Sequence, residues 1–355
     1  MRHDARTLAA GGALALLLCA AGALLDRRAF FASWLAAWWF WIGLGLGAQV
    51  HLWIHRLTGG AWIEPIAPAL ARMRAGLAGV APLIAPVLLW PDALYPWARD
   101  GWIDTAAETA FRQAWLTPAG LGLRVLACIA LWTVLTRWRP SGRGARAGFA
   151  ACGMLLVGYS VSLAATDLLM SLTPRWYSSG FGLLVLTAQL KGAFALALAA
   201  GVRQASPAQR NDLGNFLLAY VMTWAYLAFT QFQIVWAENL PAEIAWFVPR
   251  MQTGWAWLGI ALAAAGFGLP MIALVFRAFK RSRRGLGALA GLLVLMSGLE
   301  AVWWVFPSAP GAGIQALWML PLAIAGMGAV AMAAGRIPSV RGSAAGRAGK
   351  ERRHA

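Results

Sequence analysis

The sequence predicts an all-α, polytopic helical membrane protein, and three observations carry that reading. Of the 355 residues, 60% are hydrophobic and only 12% are charged, about half the charge of an ordinary soluble domain. Apolar runs of about 18 residues or more, each long enough to cross a bilayer, recur along the whole chain. The 30 Lys and Arg, set against 13 acids, concentrate in alternate loops. The ten-residue alternation of a transmembrane barrel is absent.

Ten spans can be drawn, over residues 8–25, 30–54, 75–90, 119–136, 148–171, 180–202, 213–236, 255–278, 285–306 and 315–335. The first run also has the length of a secretory signal core, with Arg2 and Arg6 ahead of it. No clean small-x-small site precedes Asp26-Arg27-Arg28, and Leu18 before Cys19 spoils a lipoprotein site, so a retained helix is expected. The third span is short and is interrupted by Pro82 and Pro86, which break helical hydrogen bonding. The second carries Gly43 and Gly47, a small-residue spacing that lets helices approach closely. The membrane domain thus covers residues 1–336. The Gly-, Ala-, Ser- and Arg-rich tail, 337–355, reads as basic, disordered and cytoplasmic.

Charge supports the count of ten. The N-terminus, the loops near 55–74, 137–147, 203–212 and 277–284, and the tail hold 22 Lys and Arg; the opposite loops hold 6. Positive loops stay in the cytoplasm, so both termini of this multi-pass membrane protein are expected there. Clusters such as Arg137, Arg139, Arg143 and Arg146, or Arg277, Lys280, Arg281, Arg283 and Arg284, suit anionic lipid headgroups. The net charge of +17 therefore needs no nucleic acid to explain it. The opposite side carries two longer loops. Residues 91–118 hold Asp92, Asp100, Asp104 and Glu108; residues 237–254 hold Glu238, Glu243 and Trp246. Such loops can dock a partner or form an interfacial aromatic belt. Most of the 21 Trp, among them Trp38, Trp39, Trp41, Trp236, Trp255, Trp257, Trp303 and Trp304, are expected to be interfacial anchors.

Four charges fall inside spans: Arg124, Asp167, Lys191 and Glu300. Ionisable groups at that depth are costly without a partner and mark candidate functional sites. At a rise of 1.5 Å per residue, three lie in the outer third of the membrane, whereas Lys191 sits about 16 Å deep. Their signs allow Arg124 to pair with Asp167 or with Glu300. Asp167 leads into Pro174-Arg175-Trp176-Tyr177, a helix exit and surface turn. Polar residues form stripes at helical spacing: Ser160, Asp167 and Ser171; Thr187 and Lys191; Thr223, Tyr226, Thr230 and Gln233. Each stripe is expected to face other helices or a wet cavity, as interhelical hydrogen bonds, a proton path or the polar end of a quinone pocket.

Other chemistry finds no support. His51 and His55 share one helix, and the other two histidines, His3 and His354, are terminal; haem b needs ligands from facing helices. Cys19, Cys128 and Cys152 show no paired spacing and are expected to be small buried hydrophobes. No metalloprotease, hydrolase, P-loop or dinucleotide motif is present.

Several blocks in order resemble one family. Asp167-Leu-Leu-Met-Ser-Leu-Thr-Pro-Arg-Trp-Tyr-Ser-Ser, Leu116-Thr-Pro followed by Arg124, Trp224-Ala-Tyr-Leu-Ala-Phe-Thr-Gln, Trp236-Ala-Glu-Asn-Leu-Pro-Ala-Glu-Ile-Ala-Trp246, Pro270 with Lys280, and Glu300-Ala-Val-Trp-Trp-Val-Phe-Pro307 are similar to blocks of the F subunit of alternative complex III. That complex is a bacterial quinol:cytochrome c oxidoreductase, and the subunit is related to the polysulfide-reductase membrane subunit. The likeness covers roughly residues 40–310. The chain departs from it at Leu168, where Trp is usual, and at Thr173 and Arg175, where Glu and His are usual.

The resemblance implies two four-helix bundles plus flanking helices and no redox cofactor bound directly, quinone being a possible ligand. It implies a sister quinol-binding membrane subunit, an iron–sulfur subunit and c-type cytochrome subunits as partners. On this reading the chain is a subunit without a redox centre of its own, contributing scaffold, proton path or quinone contact. Arg124, Asp167, Lys191, Tyr226 and Glu300 are its proton-path or quinone-contact candidates, and Arg175, Trp176, Glu238 and Glu243 its partner-docking candidates. A stand-alone transporter would need a midplane substrate site, to which only Lys191 comes close. A pure assembly scaffold is the other alternative.

Overall fold

The computed structural model describes residues 2–100, 102, 109–138, 140–309, 311 and 317–336. Asp104, Glu108, Arg139 and the tail 337–355 lie outside them. The described residues contain no strand, and ten helical spans have the length and apolarity to cross a membrane. They are α1 (Ala5–Leu24), α2 (Arg27–Thr58), α3 (Ala67–Leu89), α4 (Pro118–Arg137), α5 (Arg143–Leu172), α6 (Phe181–Gly201), α7 (Pro207–Glu238), α8 (Ala256–Val275), α9 (Arg283–Ser308) and α10 (Met319–Arg336). The chain is an all-α polytopic membrane protein with the ten spans that its hydropathy indicates.

Span starts follow from local chemistry. Asp26 accepts from Ala29 N at the head of α2, and Thr117 from Gly120 N at the head of α4. A reciprocal Ser206–Gln209 capping box opens α7, and Ser282 caps α9. Each satisfies an orphan backbone donor. Pro118 and Pro207 occupy first-turn positions, where no N–H is needed.

These caps carry α7 six residues beyond its apolar run. α3 likewise starts at Ala67 rather than near 75, its first turns bearing Arg72 and Arg74. Pro82 and Pro86 do not end α3. The helix tightens to a 3-10 turn over Ala81–Ile84 and resumes over Ala85–Leu89. α8 contains the opposite distortion, a wide π segment over Ala264–Gly268, just before Pro270.

α2 to α5 form one four-helix bundle and α6 to α9 a second, as the resemblance implies. α2 and α6 pack along each other at the join, and α1 and α10 pair at the flank against α3. α2 is apolar all round because it is buried all round. Gly43 and Gly47 lie against Gln189 and Ala193 of α6, as the small-residue spacing indicates.

Two expectations are corrected here. Trp236 and Trp257 are exposed, as anchors should be, but Trp38, Trp39 and Trp304 are interior. Several indoles staple helices through their N–H: Trp34 to Leu83 O (2.5 Å), Trp38 to Val80 O (3.0 Å), Trp41 to Ile324 O (2.8 Å) and Trp132 to Ser160 Oγ (2.8 Å). A large ring with one donor suits an interior that offers spare carbonyls. Cys19 and Cys128 are buried, but Cys152 is exposed on the outward face of α5.

A Cβ at Gly47 would come within 2.7 Å of Ala193 Cβ and of the Gln189 carbonyl oxygen, whereas one at Gly122 meets nothing within 4 Å among the described residues. Gly47→Val should therefore cost about 1–3 kcal/mol or more of folding stability in detergent. Gly122→Val should stay within about 0.5 kcal/mol. Unfolding followed by circular dichroism checks both.

Candidate functional site

The four charges inside the spans resolve into two separate pairs. Asp167, near the end of α5, accepts from Arg124 Nε (2.8 Å) and Nη2 (3.0 Å) and from Trp115 Nε1 (3.0 Å). Arg124 also donates to Trp115 O at 2.9 Å, and its guanidinium lies 4.1 Å from the Trp115 ring centroid. Trp115 ends a short helix, Thr109–Trp115, in the loop before α4.

Neighbouring contacts close over this pair. Tyr95 donates to Leu168 O (3.1 Å), Trp97 to Ser171 O (3.1 Å), and Ser171 to Asp167 O (2.5 Å). Burial, aided by the negative charge of Asp167, pushes the Tyr95 hydroxyl above its ordinary pKa. It therefore stays a neutral donor. The Asp167 carboxylate is saturated by charge-assisted donors in a fork geometry, which is what a structural staple requires. Of the two acids open to Arg124, the chain uses Asp167.

Lys191 on α6 pairs with Glu300 on α9, Nζ to Oε2 at 3.4 Å. The ammonium lies 3.7 Å from the Trp224 ring centroid, and the Trp224 indole N–H donates to Glu300 Oε1. Both charged side chains are almost completely buried. Lys191 roots deeper than Glu300, and its four-carbon stem carries the charge up to the acid. This pair is longer than the first, and the ammonium has one carboxylate and one aromatic face for its three donors.

Glu300 also lines a cleft of about 810 Å³ between α7 and α8. These helices stand apart near the acidic loops. They close at the basic end, where Lys280 donates to Asn215 (2.6 Å) and packs on Gly214. Met222, Phe229, Phe232, Ile260, Phe267 and Trp303 are among its apolar lining. Phe267 belongs to the π segment of α8. Tyr226 reaches the cleft but is largely exposed. Gln231 reaches it too, and its buried Oε1 has no hydrogen-bond partner among the described residues.

Trp246, Trp303 and Trp304 of the cleft lining are tied together by Arg250, which the sequence counts only as one of six cations on its side. It is fully buried. It donates to Trp246 O (2.6 Å), Trp303 O (3.1 Å), Trp304 O (2.9 Å) and Ser308 Oγ (2.9 Å), with Trp246 stacked 3.5 Å from its guanidinium carbon. Burial holds its pKa well below the ordinary value. The carbonyls at the C-terminal end of α9 offset that cost, since a cation there meets the negative end of the helix dipole. No spacing rule marks Arg250 in sequence; the Trp246-Phe-Val-Pro-Arg250 run is the one available cue.

The other expected residues fall in different places. Arg175 and Glu238 are exposed and Glu243 is half-buried. Trp176 is buried, stacked on Trp246 at 4.9 Å and edge-on to Phe181. It holds the outer loops together rather than presenting a docking surface, because a ring following Pro174 turns inward over the bundle. Ser160, Asp167, Ser171, Thr187 and Lys191 face other helices, as expected.

The Thr223–Gln233 stripe does not. Thr223 and Gln233 lie on the exposed face of α7. The hydroxyls of Thr223 and Thr230 bond back to Ala219 O (2.9 Å) and Tyr226 O (2.8 Å), which satisfies them without a second helix. His51 is buried with Nδ1 2.6 Å from Gly47 O, and among the described residues no group of three His, Cys, Asp or Glu is placed to hold a metal.

Fold and site together define a polytopic helical membrane protein with a laterally placed apolar cleft that ends on a buried ion pair. Neither the models of known protein families nor the sequences of curated proteins match this chain.

Removing one member of a buried pair strands the other charge. Arg124→Leu should cost about 3–5 kcal/mol, and the double substitution with Asp167→Leu should recover most of it. Unfolding midpoints in detergent read both. Arg250→Lys loses the planar fork; deuterium exchange of residues 241–254 should accelerate at least about tenfold, since a lost charged hydrogen bond is worth a factor of that size.

Proposed function

We propose that the chain is an integral membrane subunit of a quinol-oxidising respiratory electron-transfer complex, with no redox centre of its own. The cleft between α7 and α8 then receives the head of a quinone-class lipid against Glu300. One observation carries this reading: a buried acid, Glu300, paired with Lys191, sits at the end of a largely apolar cleft of about 810 Å³. That volume suits a small lipophilic ligand. Gln231, with its unpartnered buried oxygen, offers a second acceptor for a hydroxyl-bearing ring. The ordered blocks that resemble those of the F subunit of alternative complex III favour iron–sulfur, c-type cytochrome and sister membrane subunits as partners.

The resemblance favours the bacterial cytoplasmic (inner) membrane, and the charge asymmetry favours both termini inside. Arg175, Glu238 and Glu243 remain as contact points for partners on the far side. A proton role narrows to Glu300, because Asp167 is saturated by Arg124 and Trp115. That saturation favours a scaffold role for the Arg124–Asp167 pair specifically.

Affinity purification of the chain from native membranes should bring down iron–sulfur and c-haem subunits. In the intact complex, Glu300→Gln should lower quinol turnover by about tenfold or more, the worth of a hydrogen bond to a charged group, while assembly is kept. Unchanged turnover in an assembled complex contradicts the cleft reading; isolation of the chain alone contradicts the subunit reading.

A further inference from the structure

Glu300 has a second face. Besides lining the cleft, it lines a small chamber of about 20 Å³ between α2, α6 and α9. Trp39, Gln189, Ser297 and Glu300 supply its polar lining, Gly192 and Trp304 part of its wall. Trp39 and Gln189 are both more than nine-tenths buried. The Trp39 indole nitrogen and both polar atoms of the Gln189 amide have no hydrogen-bond partner among the described residues.

Such groups are nearly always satisfied in folded proteins, by protein or by ordered water. Three orphaned atoms around one chamber are thus a single feature to be explained together. Gly43 leaves the room that the Gln189 side chain occupies, since a Cβ there would lie 2.6 Å from Gln189 Cγ. The close approach of α2 to α6 therefore seats this amide beside Trp39 rather than merely tolerating it.

The ligand follows from size and donor set. A chamber needs about 10–15 Å³ of probe volume and two to four polar partners to hold one water. This one offers two unspent donors, the Trp39 N–H and the Gln189 amide N–H groups, and two acceptors, Gln189 Oε1 and the Glu300 carboxylate. A cation fits poorly, because indole and amide N–H groups repel it and the Lys191 ammonium is already on Glu300.

We propose that this chamber binds one ordered water that links Trp39 and Gln189 to the Glu300 carboxylate. Glu300 then stands between an apolar cleft on one side and a hydrogen-bonded water on the other. The water fixes the carboxylate's orientation toward Lys191 and Trp224 and gives it a hydrogen-bond partner reached from α2 rather than from lipid. The site stands whatever occupies the cleft.

The test uses the purified full chain. A density map sharp enough to show ordered water should carry a peak within hydrogen-bonding reach of Trp39 Nε1, Gln189 and Glu300. A map of that quality with nothing there overturns the proposal. Gln189→Met, close to its parent in shape, provides an independent sign. If water is bound, this variant removes its amide partners and lowers the unfolding midpoint. If the chamber is dry, it removes an orphaned polar group and the midpoint rises or stays level, which also overturns the proposal.

Discussion

An ionised side chain in an apolar medium must find its counter-charge among neighbouring helices, and that requirement ties α4 to α5 and α6 to α9. In the interior, the cost of an unpartnered charge exceeds any local propensity. Arg124 and Asp167 meet the requirement with a fork and two indole contacts, which fixes α4, α5 and the loop over Asp167 as one unit. Lys191 and Glu300 meet it more sparely, through one oxygen and the Trp224 ring. The tighter pair is built into the frame, and the sparer one adjoins open space. The difference separates a scaffold from a site within a single chain.

Much of the frame was legible in sequence because hydropathy reports directly on a bilayer. Ten apolar runs and a lopsided distribution of Lys and Arg define ten helices, and Gly43 and Gly47 mark where α2 and α6 touch. The ends of spans were less legible. Caps such as Ser206 with Gln209 extend α7 past its apolar run, and Pro82 and Pro86 bend α3 instead of ending it. Hydropathy does not register either effect.

The site was legible as a set of charges but not as a set of contacts. Sign and depth left Arg124 a choice of two acids, and only the packing of α4 on α5 decides it. Depth alone assigns Lys191 no partner, and the length of its side chain brings its ammonium to Glu300. Arg250 was hidden because a cation in a loop reads as solvated, whereas here the end of α9 supplies its acceptors. The polar stripe on α7 misled in the opposite sense, since threonines that bond to their own helix need no partner. The cleft arises from the divergence of α7 from α8, and no linear pattern encodes it.

A double-mutant cycle on the second pair addresses the central claim most directly. Lys191→Met and Glu300→Leu, made singly and together in the full chain, are compared by unfolding midpoint in detergent. The account predicts that each single variant loses about 3–5 kcal/mol and that the double recovers most of it. Single losses within about 1 kcal/mol that simply add would mean that the two charges do not depend on each other, and that result would contradict the account.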